Sequence, residues 1–181
     1  MRKLGAAQRA ALEGEAVEAA CAGGVTLVQL REKHVTRDEY ERIAREVKGI
    51  CDAYDVPLII NDSPEVAVAV GAAGVHVGQE DLEASRVRDI VGPDAIVGVS
   101  AASVAEARAA QAASADYLGV GAITPTATKP EAGVLTIDEL REIVDCVDIP
   151  VVAIGGVNAQ TIPSLAGLGL AGYSVVSAII A

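Results

Sequence analysis

PLIINDSPEVAVAVGAAGVHVGQEDLEASRVRDIVGPDAIVGVS, residues 57–100, decides the fold. It holds three short β-branched runs, Pro57–Ile60, Gly74–Val77 and Ala95–Val99, each ending in polar or glycine-rich residues. The runs are apolar on both faces, as expected of parallel strands covered by helices. After the first run, Ser63 followed by Pro64 marks a helix start with proline at its first position. The same unit repeats outward. Val25–Leu30 lies upstream, and Asp116–Val120, Pro150–Ile154 and Tyr173–Val176 lie downstream. Ala/Glu/Arg-rich segments with helical spacing separate most of these runs. Thr36 with Glu39, Ser103 with Glu106 and Thr136 with Glu139 each fit a capping box, in which hydroxyl and carboxylate satisfy orphan amides.

Alternating strands and helices give a parallel sheet, either closed as a barrel or open and doubly wound. No run is followed by GxGxxG or GxxxxGKS/T, so the open nucleotide-binding forms lose their main support. Polar residues instead follow many different strands, where an α/β barrel builds its site. The expected architecture is therefore a single α/β domain over residues 1–181, a TIM-type (β/α)8 barrel. Seven strands are visible and the chain stops after the last, so the first strand and the last helix are expected to be lacking. Gly5 to Ala22 reads as the first βα loop or helix.

Composition excludes several classes. Of 181 residues, 51% are hydrophobic, enough for a core and too many for a disordered chain. The net charge of −11, with no long basic cluster, argues against binding a nucleic-acid backbone. Phe and Trp are absent, which removes the usual base-stacking platforms. The longest apolar stretch, Val66 to Gly78, is interrupted by His76 and falls short of the ~20 residues that span a bilayer. No signal-peptide apolar region follows Met1, Arg2 and Lys3. Cys21, Cys51 and Cys146 are far apart and odd in number, and read as buried thiols in a reducing cytoplasm. A cytoplasmic protein without nucleic-acid or membrane partners is expected.

Candidate chemistry sits at the strand ends. Gln29, Arg31 and Lys33 alternate, so they share one side if the strand persists that far. One amide and two cations suit an anion with several oxygens, such as a diphosphate; ordinary surface charges at a solvated strand end are the alternative. Asn61 and Asp62 follow one run and Asp81 another. Two carboxylates at adjacent strand ends suit Mg²⁺, or simply cap the helices that follow. Thr124, Thr126, Thr128 and Lys129, between stiffening prolines, form a donor-rich loop that either wraps a phosphate or is a plain surface lid. Gly155 and Gly156, and Ser177 with Ala178, follow the last two runs, where barrel backbones often cradle a phosphate. His76 inside a strand reads as a hydrogen-bonded core histidine, and His34 lies in a loop.

The segments VTLVQLREK, PLIINDSPEVA, GVHVGQEDL, IVGVS, GVGAITPTATKP, IPVVAIGGV and YSVVSAI resemble, in order and spacing, the thiamine-phosphate synthase (thiamin-phosphate pyrophosphorylase) family. The resemblance runs from Val25 to Ser177. It implies a transferase that joins 4-amino-5-hydroxymethyl-2-methylpyrimidine diphosphate to 4-methyl-5-(2-phosphoethyl)thiazole, giving thiamine phosphate and pyrophosphate. It places the diphosphate contacts on Gln29, Arg31, Lys33, Asn61 and Lys129, and the Mg²⁺ carboxylates on Asp62 and Asp81. Ser100 falls near the pyrimidine and the departing diphosphate, Thr126 and Thr128 around the thiazole phosphate, and Gly156, Val176 and Ser177 on its backbone cradle. Ser100, Lys129 and Arg31 are the expected catalytic residues. The family reaction is dissociative, so charge neutralisation and positioning matter more than a protein base.

The family's opening strand, roughly LYLVTD, is not matched, and Ala102 stands where many relatives carry histidine. A barrel short of one strand exposes two edges, so a homo-oligomer is expected. Two rivals follow. One is a thiazole tautomerase of the same barrel family, which needs a catalytic histidine at the mouth. The other is a non-catalytic phosphate-binding barrel.

Overall fold

The computed structural model of the chain describes residues 6–124 and 133–179, with side chains from residue 14 onward. The helices are α1 (Ala6–Ala22), α2 (Arg37–Ala53), α3 (Pro64–Val70), α4 (Ala84–Val91), α5 (Val104–Ala112), α6 (Ile137–Asp145) and α7 (Ile162–Leu165). The strands are β1 (Val28–Leu30), β2 (Leu58–Asn61), β3 (Gly74–Val77), β4 (Ile96–Ala101), β5 (Tyr117–Val120), β6 (Val151–Ala153) and β7 (Gly172–Tyr173). They form one parallel sheet in the order β1-β2-β3-β4-β5-β6-β7, the winding of a TIM-type α/β barrel with seven strands. Among the described residues β7 does not pair with β1, so both remain edges.

The helices cover the sheet because their apolar residues recur at helical spacing. In α2, Tyr40, Ile43, Ala44, Val47 and Cys51 form the buried stripe. Leu140 and Ile143 do the same in α6. They join Val75, Val97, Leu118 and Ala153 of the strands in one contiguous core, where each fully buried Val or Leu side chain contributes about 1.5–3 kcal/mol. Cys51 and Cys21 are buried side by side, and burial pushes the Cys51 thiol up to about 12. Cys146, expected to be buried, is only half-buried.

Local signals set the helix starts. Thr136 and Glu139 form a reciprocal capping box at α6, and Thr36 accepts from the Glu39 amide at α2. At α5 the box is displaced by one residue: Ser103 accepts from the Glu106 amide, while the Glu106 carboxylate accepts from the Ala102 amide at 2.7 Å. Ser63 precedes Pro64 as expected but makes no side-chain cap bond.

Several strands, β1, β6 and β7 most clearly, are shorter than their apolar runs. β1 ends at Leu30, so the expectation that Arg31 and Lys33 extend the strand's alternation is corrected. Its neighbour turns away at Asp62, whose φ is 64°, and leaves no ladder for β1 beyond the Leu30–Ile60 pair. β7 is Gly172–Tyr173 instead of Tyr173–Val176; the Ser174 amide still bonds the Ala153 carbonyl, and from Val176 a turn closes with the Ile179 amide on the Val176 carbonyl.

Candidate active site

The carboxyl ends of β1 to β4 meet at one mouth. Asp62, one residue past β2, and Asp81, in the turn after β3, bring their carboxyl groups into hydrogen-bonding contact. The turn is fixed by the Gly78 amide, which donates to Asp81 Oδ2 at 2.7 Å. Lys33 Nζ lies 3.5 Å from Asp62 Oδ2. Burial, then the neighbouring Asp81 carboxyl, holds the Asp62 carboxyl above its ordinary range, with Lys33 pulling the other way. Neither aspartate caps a helix: the N-cap position is Ser63 for α3 and Glu83 for α4. That removes the plain capping alternative for both.

Two hard oxygen donors held together against their own repulsion fit a divalent cation. No cluster of three or more His, Cys, Asp or Glu suited to a metal occurs among the described residues, so this pair would leave positions open for water and substrate oxygens.

Other candidates sit nearby on different supports. Asn61 ends β2 and is buried at 8% exposure. Its carbonyl and that of Leu30 both accept from the Tyr40 hydroxyl, at 3.0 and 2.9 Å. This hydroxyl on α2 therefore fastens the end of β1 to the end of β2. Arg31 is exposed just past β1, and Lys33 is half-exposed beside Asp62. Gln29, on β1, brings its side-chain amide towards the Tyr117 hydroxyl of β5. Ser100 lies on β4 with its hydroxyl 2.9 Å from His76 Nε2. Its carbonyl accepts from Gln79 Nε2 at 2.6 Å.

The other half of the mouth is built from β5 to β7. Gly156, past β6, has φ 73°, and a Cβ there would collide with the Thr124 side chain, so only glycine fits. The Gly156 carbonyl accepts from Thr124 Oγ1 at 3.3 Å, Asn158 Nδ2 at 3.1 Å and Thr161 Oγ1 at 3.3 Å. Val176 and Ser177 begin the turn past β7, with Val176 exposed. The expected Thr126, Thr128 and Lys129 lie outside the described residues.

Three site residues were not singled out from the sequence as supports: Tyr40, Gln79 and Tyr117. His76, on β3, is a core histidine with 4% exposure, bonded on both ring nitrogens. Burial pushes its pKa down to about 4. The signal for this buried polar region was available as Gly98 and Gly119 inside strand runs, since interior glycines mark close approaches.

Seven parallel strands with phosphate-type donors at their carboxyl ends carry the blocks quoted above, and residues 6–179 match the family described as thiamine monophosphate synthase. The chain belongs to the thiamine monophosphate synthase family. Within it, the chain is 55% identical over 166 residues to a thiamine-phosphate synthase of Ruminiclostridium cellulolyticum, covering 92% of this chain and 79% of that one. It is 51% identical over 160 residues to thiamine-phosphate synthase 2 of Streptococcus pneumoniae serotype 4, covering 88% and 76%. Its fold is similar to a thiamine phosphate pyrophosphorylase structure from Pyrococcus furiosus, with TM-score 0.87, 37% identity and coverage of 96% and 83%. The described parts of the synthase-family blocks thus map onto the strands and the turns that follow them.

Proposed function

We propose that this chain is a Mg²⁺-dependent thiamine-phosphate synthase, a transferase joining the pyrimidine diphosphate and the thiazole phosphate with release of pyrophosphate. Its carrying observation is the pairing of Asp62 and Asp81 beside Lys33 at the mouth, in a chain about half identical to enzymes of that name. Asp62 and Asp81 would hold the ion, which when bound neutralises charge on the diphosphate.

The chain's own groups do the rest. Lys33 and Arg31 bring positive charge to the mouth, and Lys129 adds to it on the strength of the resemblance. Asn61 offers its amide from a buried strand end, and Gln29 on β1 and Ser100 on β4 add an amide and a hydroxyl. The leaving group departs as its negative charge grows, so fixed donors and cations lower that barrier without a general base. Thr126, Thr128, Gly156, Val176 and Ser177 receive the thiazole phosphate, whose anchoring sets the ring nitrogen for attack. His76 is enclosed between Ser100 and Tyr117, which counts against the tautomerase reading.

We further propose a homo-oligomer acting on small phosphorylated molecules in the cytoplasm; no described helix is long and apolar enough to cross a membrane. The deciding experiment measures thiamine phosphate formation from both substrates with and without Mg²⁺. Metal-dependent product is expected, with Asp62→Asn and Asp81→Asn each lowering turnover on the order of 100-fold. Folded wild-type protein that forms no product, or variants with unchanged Mg²⁺ dependence, would overturn the reading.

A further inference from the structure

The space between β3, β4 and β5 holds a line of polar groups where an α/β barrel ordinarily packs branched aliphatics. Tyr117 Oη lies 2.9 Å from His76 Nδ1, and His76 Nε2 lies 2.9 Å from Ser100 Oγ. At the far end, the Gln29 side chain approaches the Tyr117 hydroxyl. The line therefore crosses from β1 to β4 through the interior. Room for it is made by two glycines. A Cβ on Gly98 would run into the Tyr117 ring and press His76 Nδ1, and one on Gly119 would sit 3.0 Å from the His76 ring. The register puts these glycines beside the line: His76 pairs with Gly98, and Ser100 with Gly119.

Counting protons limits what this line can do. Tyr117, Ser100 and a neutral imidazole each carry one polar hydrogen, so the two imidazole tautomers set two orders along the line. In the first, the Gln29 amide N–H donates to Tyr117 Oη, Tyr117 donates to His76 Nδ1, and His76 Nε2–H donates to Ser100 Oγ. The Ser100 proton is then directed outward. In the second, Ser100 donates inward to Nε2, Nδ1–H donates to Tyr117, and Tyr117 donates to the Gln29 carbonyl oxygen. Ser100 then turns only lone pairs outward. A diphosphate repels lone pairs and attracts an O–H, so an anionic substrate selects the first order. Gln79, bonding the Ser100 carbonyl, fixes the same residue from the other side.

We propose that Tyr117 and His76 are positioning residues, which hold the imidazole as the Nε2–H tautomer and so present Ser100 as a hydrogen-bond donor to the departing diphosphate. This rests on the synthase function proposed above. The donation strengthens as charge develops on the leaving oxygen, so it acts on kcat more than on KM.

Two measurements test it. Nitrogen-15 NMR of the His76 ring in the protein saturated with inorganic pyrophosphate and Mg²⁺ should show Nδ1 unprotonated and Nε2 protonated. The opposite tautomer overturns the proposal whatever the activity. Kinetically, Tyr117→Phe should lower kcat roughly tenfold, the loss of about one hydrogen bond's worth, with KM for the diphosphate substrate nearly constant. In a Ser100→Ala background the same change should have no further effect on kcat. Equal losses in both backgrounds would mean Tyr117 acts only on the fold, and would overturn the positioning role. A wild-type protein with the Nε2–H tautomer but no synthase turnover fails the function proposed above, so the two failures are told apart.

Discussion

Asp62 combines two unfavourable features in one residue. Its φ of 64° is left-handed, a conformation that Asp and Asn tolerate better than other non-glycine residues. Its carboxyl is held above its ordinary range by burial and by Asp81. The sign of the consequence follows. A carboxyl whose folded pKa is raised binds its proton more tightly in the folded state, so stability declines as pH rises from the unfolded value through the folded one. The charged carboxylate is therefore the destabilised form in the metal-free protein. Asparagine keeps the backbone geometry and removes the charge, so Asp62→Asn should raise the metal-free melting temperature at pH 7 by about 2–4 °C. The gain should vanish at a pH well below 4 or on adding Mg²⁺, both readable by calorimetry. The positions of Asp62 and Asp81 were legible in the sequence because each follows an apolar run. Their contact was not, since it depends on the Gly78–Asp81 turn folding back.

At the scale of elements, β1 and the segment after it show how much a strand depends on its neighbour. The alternation of Gln29, Arg31 and Lys33 suggests one continuing strand, but pairing stops at Leu30 once β2 turns at Asp62. The tie that replaces the ladder is the Tyr40 hydroxyl on the Leu30 and Asn61 carbonyls. Burial pushes that phenol up to about 12, so it remains a donor at any working pH. Tyr40→Phe should cost about 1 kcal/mol in urea unfolding. It should also raise KM for the diphosphate substrate several-fold while leaving kcat less affected, because Arg31 and Lys33 lose their anchored approach. The capping signals were legible because they are local. The Tyr40 tie was hidden because it joins residues from α2, β1 and β2.

For the whole molecule, the strand series was legible from the order and spacing of the β-branched runs, whereas the polar interior was not. Whether His76 faces Gly98 or a branched residue depends on the register of β3 on β4, which spacing along the chain does not reveal. The proposed homo-oligomer belongs to this scale too. Both sheet edges are unpaired among the described residues, and Leu27, Tyr173, Val176 and Ile179 near them are exposed. Sedimentation at micromolar concentration should show association, and a single folded monomer species would contradict it. The strand order carries one more consequence. Every strand pairs with the one just before it in the sequence, so each partner is already in place when the next run is synthesised. A chain leaving the ribosome can therefore assemble its sheet from the N-terminal side as a zipper closes, never holding an early strand idle for a late one.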